Sequence, residues 1–171
     1  MSKFILYNVG TTDVLRHENE DGTVIESWQK NKTPNWDQLL ADNEIVNFDD
    51  TEQGVANAQG EACYHVDSLR RNKVNSPVEI HGTKFDADLE ARENISGAVI
   101  RSMLDPSYTG EDWYDVENKP HSLTVEQIAA IGIAIAERKS QVVDAAQASK
   151  KAIRSMDNTT DIKAYQNQVS L

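Results

Sequence analysis

Apolar positions fall into short β-type clusters early in the chain and into helical stripes later. Phe4-Ile5-Leu6-Tyr7-Asn8-Val9, Val14-Leu15-Arg16-His17 and Thr23-Val24-Ile25-Glu26-Ser27-Trp28 have strand composition. Gly10 to Asp13 reads as a turn between the first two. Glu20-Asp21-Gly22 reads as a hairpin turn before the third, because Gly accepts positive φ. Together they predict a small antiparallel meander. Thr33 as N-cap with Pro34 at the first helical position predicts a short helix through Asp42. Ile45 to Phe48 reads as one more strand.

A helix is predicted over Asp49 to Arg71, with Val55, Ala58, Ala62, Cys63, Val66 and Leu69 along it. Acids open it and Arg70 and Arg71 close it, as the helix dipole favours. Gly54 and Gly60 weaken it. Asn72 to Pro77 breaks the pattern and divides the chain near Asn75.

Beyond the break, Val78 to His81 and Thr83 to Phe85 flank Gly82 as a tight hairpin. A helix capped by Asp86 or Asp88 runs to about Leu104, with Leu89, Ile95, Val99 and Met103 as its apolar face. Trp113 to Val116 and His121 to Leu123 pair as short strands. Thr124 and Gln127 form a capping box, which starts a helix running to about Met156. Ile128, Ile131, Ile135, Val142, Ala146 and Ile153 share one broad stripe on it, an imperfect heptad pattern with Arg138 in the seam. Residues 157–171 are polar without clear period and are expected to be disordered when free. The class is α+β. The expected regions are an α+β attachment or interaction region (1–75), a domain with a long C-terminal helix (76–156) and a polar tail (157–171).

Composition narrows the function classes. The chain has 171 residues, 39% hydrophobic and only 6% aromatic, with a net charge of −11. So few core-forming side chains predict an elongated shape or stability borrowed from neighbouring chains. The acidity disfavours nucleic acid as a partner. No apolar run approaches the roughly 18 residues that span a bilayer, so no membrane partner is expected. No secretory signal is expected either. The single cysteine, Cys63, forms no intrachain disulfide and fits synthesis in a reducing cytoplasm.

Candidate chemistry is sparse. His17, His65, His81 and His121 lack metal-ligand spacing, so no metal site is expected. Cys63 and His65, two apart, point to different faces of a helix and read as a packing residue beside a surface histidine. The acids at 86–90 and 42–52 lack the spacing of a calcium loop and read as capping and solvated surface. No phosphate-binding glycine loop or nucleophile elbow is present. Three glycosylation-type triplets, at Asn31, Asn94 and Asn158, carry no weight without a signal. Trp28, Trp36, Trp113 and Tyr114 read as core or interface anchors rather than a sugar platform. No cofactor and no catalysis are expected.

The run Ile80-His81-Gly82-Thr83-Lys84-Phe85-Asp86-Ala87-Asp88, then Arg92 and Ile95, followed by Trp113, the Leu123-Thr124 step and an Ala/Ile-rich helix, resembles a known family over roughly Val78 to Arg154. This is a small domain of unknown function common in tail-fibre, tail-fibre-assembly and minor tail proteins of tailed bacteriophages. The resemblance carries no catalytic residues. Gly82, Phe85 and Trp113 of the matching run, with Thr124 and Gln127 of the capping box, are expected to define the fold.

The resemblance implies a virion component, a tail or tail-fibre part that acts by binding other tail proteins. Such a part would be made in the bacterial host cytoplasm and function in the virion as a homo-oligomer, with a trimer favoured. The long-helix stripe (Ile128, Ile131, Ile135, Val142, Ala146, Ile153) would be its partner interface. The alternative is an assembly chaperone that caps the fibre tip. A tail-bound glycan hydrolase is disfavoured, because few aromatics make a poor sugar cleft.

Overall fold

The computed structural model describes residues 2–9 and 12–171. It is α+β and divides into two compact units, one of Met1–Cys63 with Ala152–Gln168 and one of Tyr64–Lys151 with Val169–Leu171.

In the first unit β1 (Lys3–Val9), β2 (Thr12–Glu18) and β3 (Val24–Gln29) form the expected antiparallel meander. Gly10 and Thr11 of the first expected turn lie outside the described residues. A short strand, β4 (Ile45–Asn47), adds parallel to β1, giving the order β3-β2-β1-β4. Cross-strand register puts Leu6, Leu15 and Trp28 in line on one face, with Phe4 stacked on His17 at 4.4 Å beside them. The other face carries Tyr7, which stacks on Phe48 and donates to buried Glu18 at 2.7 Å. Burial, followed by the Glu18 hydrogen bond, raises the Tyr7 pKa.

The next helix, α1 (Trp36–Ala41), begins later than its sequence suggests. Asn35 is the N-cap residue, and Thr33 instead donates its hydroxyl to the Gln29 carbonyl at 2.8 Å. A 3-10 turn at Phe48–Asp50 takes up the acids expected to open the second helix, so α2 runs Glu52–Asn75. Gly54 is required where it stands, because a Cβ there would lie 2.0 Å from the Phe48 carbonyl oxygen.

The polar tail is ordered, against expectation. Asn158 accepts from the Asp161 amide at 2.8 Å and starts α5 (Thr159–Gln168). Ile162 of that helix is fully buried, and Lys163 pairs with Asp49 at 2.6 Å.

The second unit holds the later half of α2, which continues through Asn72 to Asn75 where a break was expected. Its first hairpin is β5 (Val78–Ile80) and β6 (Thr83–Phe85), joined through His81 and Gly82, both at positive φ. Asp88 caps α3 (Leu89–Leu104) by accepting from the Ala91 amide at 2.9 Å. The second hairpin, β7 (Gly110–Tyr114) and β8 (Pro120–Thr124), pairs Trp113 with His121. Its turn is tied by Asp115, which accepts from the Glu117 and Lys119 amides at 2.8 and 2.9 Å and meets His121 Nε2 at 2.9 Å.

The capping box forms as its residues dictate. The Thr124 amide donates to the Gln127 side chain at 2.9 Å and the Gln127 amide to the Thr124 hydroxyl at 3.4 Å, opening α4 (Val125–Arg154). Phe85 is buried with Val78, Ala87, Ile95, Ala98, Ile128, Ile131 and Ile135 in one cluster, and Trp113 packs at its edge. Gly132 lets α4 approach α3 closely, because a Cβ there would sit 2.8 Å from Ile95 Cγ2.

Candidate interaction surface

The α4 stripe is core, which corrects its expected role. Ile128, Ile131, Ile135, Val142, Ala146 and Ile153 are between 0% and 5% exposed in the single chain. The hairpins and α3 supply the cover for the first three. Heptad-like spacing identifies a buried face, but it does not distinguish cover from the same chain from cover by a neighbour. Arg138, in the same seam, turns to the end of α2 and donates to the Val74 and Pro77 carbonyls at 3.1 and 2.9 Å.

Exposed apolar side chains adjoin one another instead on α3, while others, such as Ile25 on β3 and Ile133 on α4, are also exposed. Of the expected apolar face of α3 only Ile95 is buried, with Ala98 beside it. Leu89 and Met103 point outward, and Ile100, Met103 and Leu104 are 56%, 76% and 80% exposed. These three are neighbours at i,i+3 and i,i+4 spacing, so they form one patch at the helix C-terminal end. A lone exposed Leu would need no explanation, but three adjoining large side chains on one helical turn do.

Beside this patch a groove of about 620 Å³ runs along α3, with Tyr108 and residues Glu111 to Tyr114 of β7 as its other wall. Gly97 and Ala91 form part of the α3 wall. Arg101 lies over the Tyr108 ring at 4.3 Å and 3.9 Å from Glu111 Oε2. Burial raises the Tyr108 pKa, and the Glu111 charge adds to the effect. Asp112 accepts from the Ser122 hydroxyl at 2.6 Å. Asp86, Glu90 and Glu93 also line the groove, with no ion pair to any of them among the described residues.

A second, smaller hollow between the β5–β6 hairpin and α4 is lined by Ile80, His81, His121 and Leu123. Among the described residues no group of three or more His, Cys, Asp or Glu is placed to hold a metal ion. Cys63 is a free, half-buried thiol. No helix among the described residues is long and apolar enough to cross a membrane.

The surface was half visible in the sequence. Residues 95–104 hold Ile95, Ala98, Val99, Ile100, Met103 and Leu104, more apolar positions than one face of a helix accommodates. That surplus was the available signal for an outward patch. The groove depends on where β7 returns, which no local pattern reports.

Residues 57–167 match the family model of a domain of unknown function, DUF4376. No curated protein and no solved structure matches the chain.

Proposed function

We propose, for a chain that belongs to the DUF4376 family of domains of unknown function, that it is a non-catalytic structural part of a bacteriophage tail or tail fibre. It works by protein–protein binding in the virion, as a fibre segment or adaptor. The observation that carries the binding role is the adjoining trio Ile100, Met103 and Leu104, exposed on α3. An apolar patch of this kind is stabilised by cover from another protein. The tail assignment is supported by the resemblance over residues 78–154 to domains of phage tail proteins. In the assembled state the chain is a homo-oligomer, with a trimer favoured, and its contact face is α3 rather than the α4 stripe.

Quantitative mass spectrometry of purified virions tests this reading. A fixed ratio to a tail protein of known copy number is expected. Presence with fibre precursors but absence from finished virions would replace it with the assembly-chaperone reading. Absence from both would overturn both readings. Light scattering of the isolated chain tests the oligomer, with three times the 19.1 kDa chain mass expected for a trimer.

A further inference from the structure

The groove along α3 has three properties that together describe an occupant. The first is a free strand edge. Among the described residues β7 pairs with β8 alone in a two-stranded sheet, and four consecutive β7 residues, Glu111 to Tyr114, line the groove. In such a ladder, alternate residues turn their N–H and C=O groups away from the partner strand, which leaves a row open to a third strand.

The second is charge. Asp86, Glu90 and Glu93 line the groove with no ion-pair partner among the described residues, while Arg101, also in the lining, is engaged with Glu111 and the Tyr108 ring. The exposed Tyr114 ring and the edge of Trp113 add faces on which an ammonium or guanidinium group can rest.

The third is an empty position. Gly97 stands in the middle of α3 on the groove wall, and a Cβ there would meet no atom within 4 Å. Neither close packing nor positive φ requires glycine at this point. Its missing side chain keeps the groove open to a backbone.

We infer that this groove receives an extended, lysine- or arginine-bearing segment of a partner protein, which adds as a strand to the free edge of β7. Backbone hydrogen bonds to β7 supply the anchoring, and basic side chains on one face of the added strand reach Asp86, Glu90 and Glu93. From Asp88 to Arg101 the groove wall extends about 20 Å, the length of about six residues of extended chain. This inference rests on the reading of the chain as a binding protein and names the chemistry of its partner.

The test uses the full chain and a short fluorescein-labelled peptide of alternating lysine and valine, with a glutamate-for-lysine peptide as control. Fluorescence anisotropy should show saturable binding of the lysine peptide only, weakening as salt rises. Gly97→Leu, which fills the groove, and the double substitution Glu90→Gln with Glu93→Gln should each weaken binding about tenfold or more. Gly97→Ala should bind as the parent does. Circular dichroism of each variant checks that the fold is kept. Hydrogen exchange on the complex should show added protection of the alternate amides from Glu111 to Tyr114 that face away from β8. No binding, equal binding of the two peptides, or binding indifferent to Gly97→Leu would overturn the inference. A protein found in virions that fails this test loses only the groove assignment, and a protein absent from virions that passes it loses only the tail assignment.

Discussion

Arg138 of α4 donates from Nη2 to the Val74 carbonyl in the last turn of α2 at 3.1 Å, so a cation from one helix closes the C-terminus of another. Its second terminal nitrogen, Nη1, reaches the Pro77 carbonyl at 2.9 Å and the Ser76 hydroxyl at 3.4 Å. One guanidinium thus ties together the end of α2 and the start of the β5–β6 hairpin. The helix C-terminus carries partial negative charge from unpaired carbonyls, which a fixed cation offsets. Burial, with the like charge of Arg92 adding, lowers the Arg138 pKa from its usual value.

Arg138→Met is therefore expected to destabilise the chain by about 1.5–3 kcal/mol, the range for hydrogen bonds to a charged group. Arg138→Lys should recover only part of that, because a point ammonium cannot fork between carbonyls. Urea unfolding monitored at the helix signal measures both. Equal stability of Arg138→Met and the parent would show that the α2 end needs no closure.

Ile131 is 1% exposed at the centre of the second unit's core. Ile131→Ala should cost about 2–5 kcal/mol, the range for emptying a buried aliphatic site. Met103→Ser, on the exposed end of α3, should change stability by no more than about 0.5 kcal/mol. The pair of unfolding midpoints separates interior from surface. A mild effect at Ile131 with a severe one at Met103 would reverse the assignment of the two faces.

Asp115 gives a pH dependence with a definite sign. Its bond with His121 is the largest cause, and the Lys119 and Glu117 amides add to it, in holding the carboxyl below the usual aspartate range. A depressed folded pKa gives stability that is complete above the unfolded value of about 3.9 and is lost as pH falls through the folded value. Asp67, lowered chiefly by the Lys150 hydrogen bond, acts in the same direction. Asp115→Asn should lower stability near neutral pH and flatten the acid limb of the curve. Urea midpoints taken from about pH 6 down to about pH 2 measure this. An unchanged acid limb in the variant would remove Asp115 as its source.

Asn158 starts α5 by accepting from the Asp161 amide. Asn158→Ala should cost about 1 kcal/mol, as for other N-cap losses. The loss should appear first as faster hydrogen exchange across Thr159–Gln168. Exchange in α5 that matches the parent would show that Ile162 burial alone holds the helix.

Features governed by a few adjacent residues were legible in the sequence. Thr124 and Gln127 identify each other at a spacing of three, and the His81-Gly82 turn follows from the positive φ its hairpin demands. The α4 stripe was legible as a stripe. What covers it was not, because Phe85, Ile95 and Ala98 come from separate elements brought together only by the tertiary fold. The residues 157–171 misled for a related reason. Their polarity describes most of α5 correctly, but its position depends on one fully buried side chain, Ile162. The groove was least legible, since β7 and α3 form its walls only after the chain has turned back through Asp105 and Tyr108.

The first unit joins the strands of residues 3–29 with a segment, 152–168, synthesised long after them. The two pieces that make that unit are separated by nearly the whole of the other. On the ribosome, the N-terminal sheet emerges first but lacks part of its compact unit until α5 has followed. The second unit, whose main stretch is continuous from Tyr64 to Lys151, has its parts available sooner. Domains generally fold as units during synthesis, so this chain should mature from its middle outward, with its N-terminal strands waiting for their C-terminal counterpart.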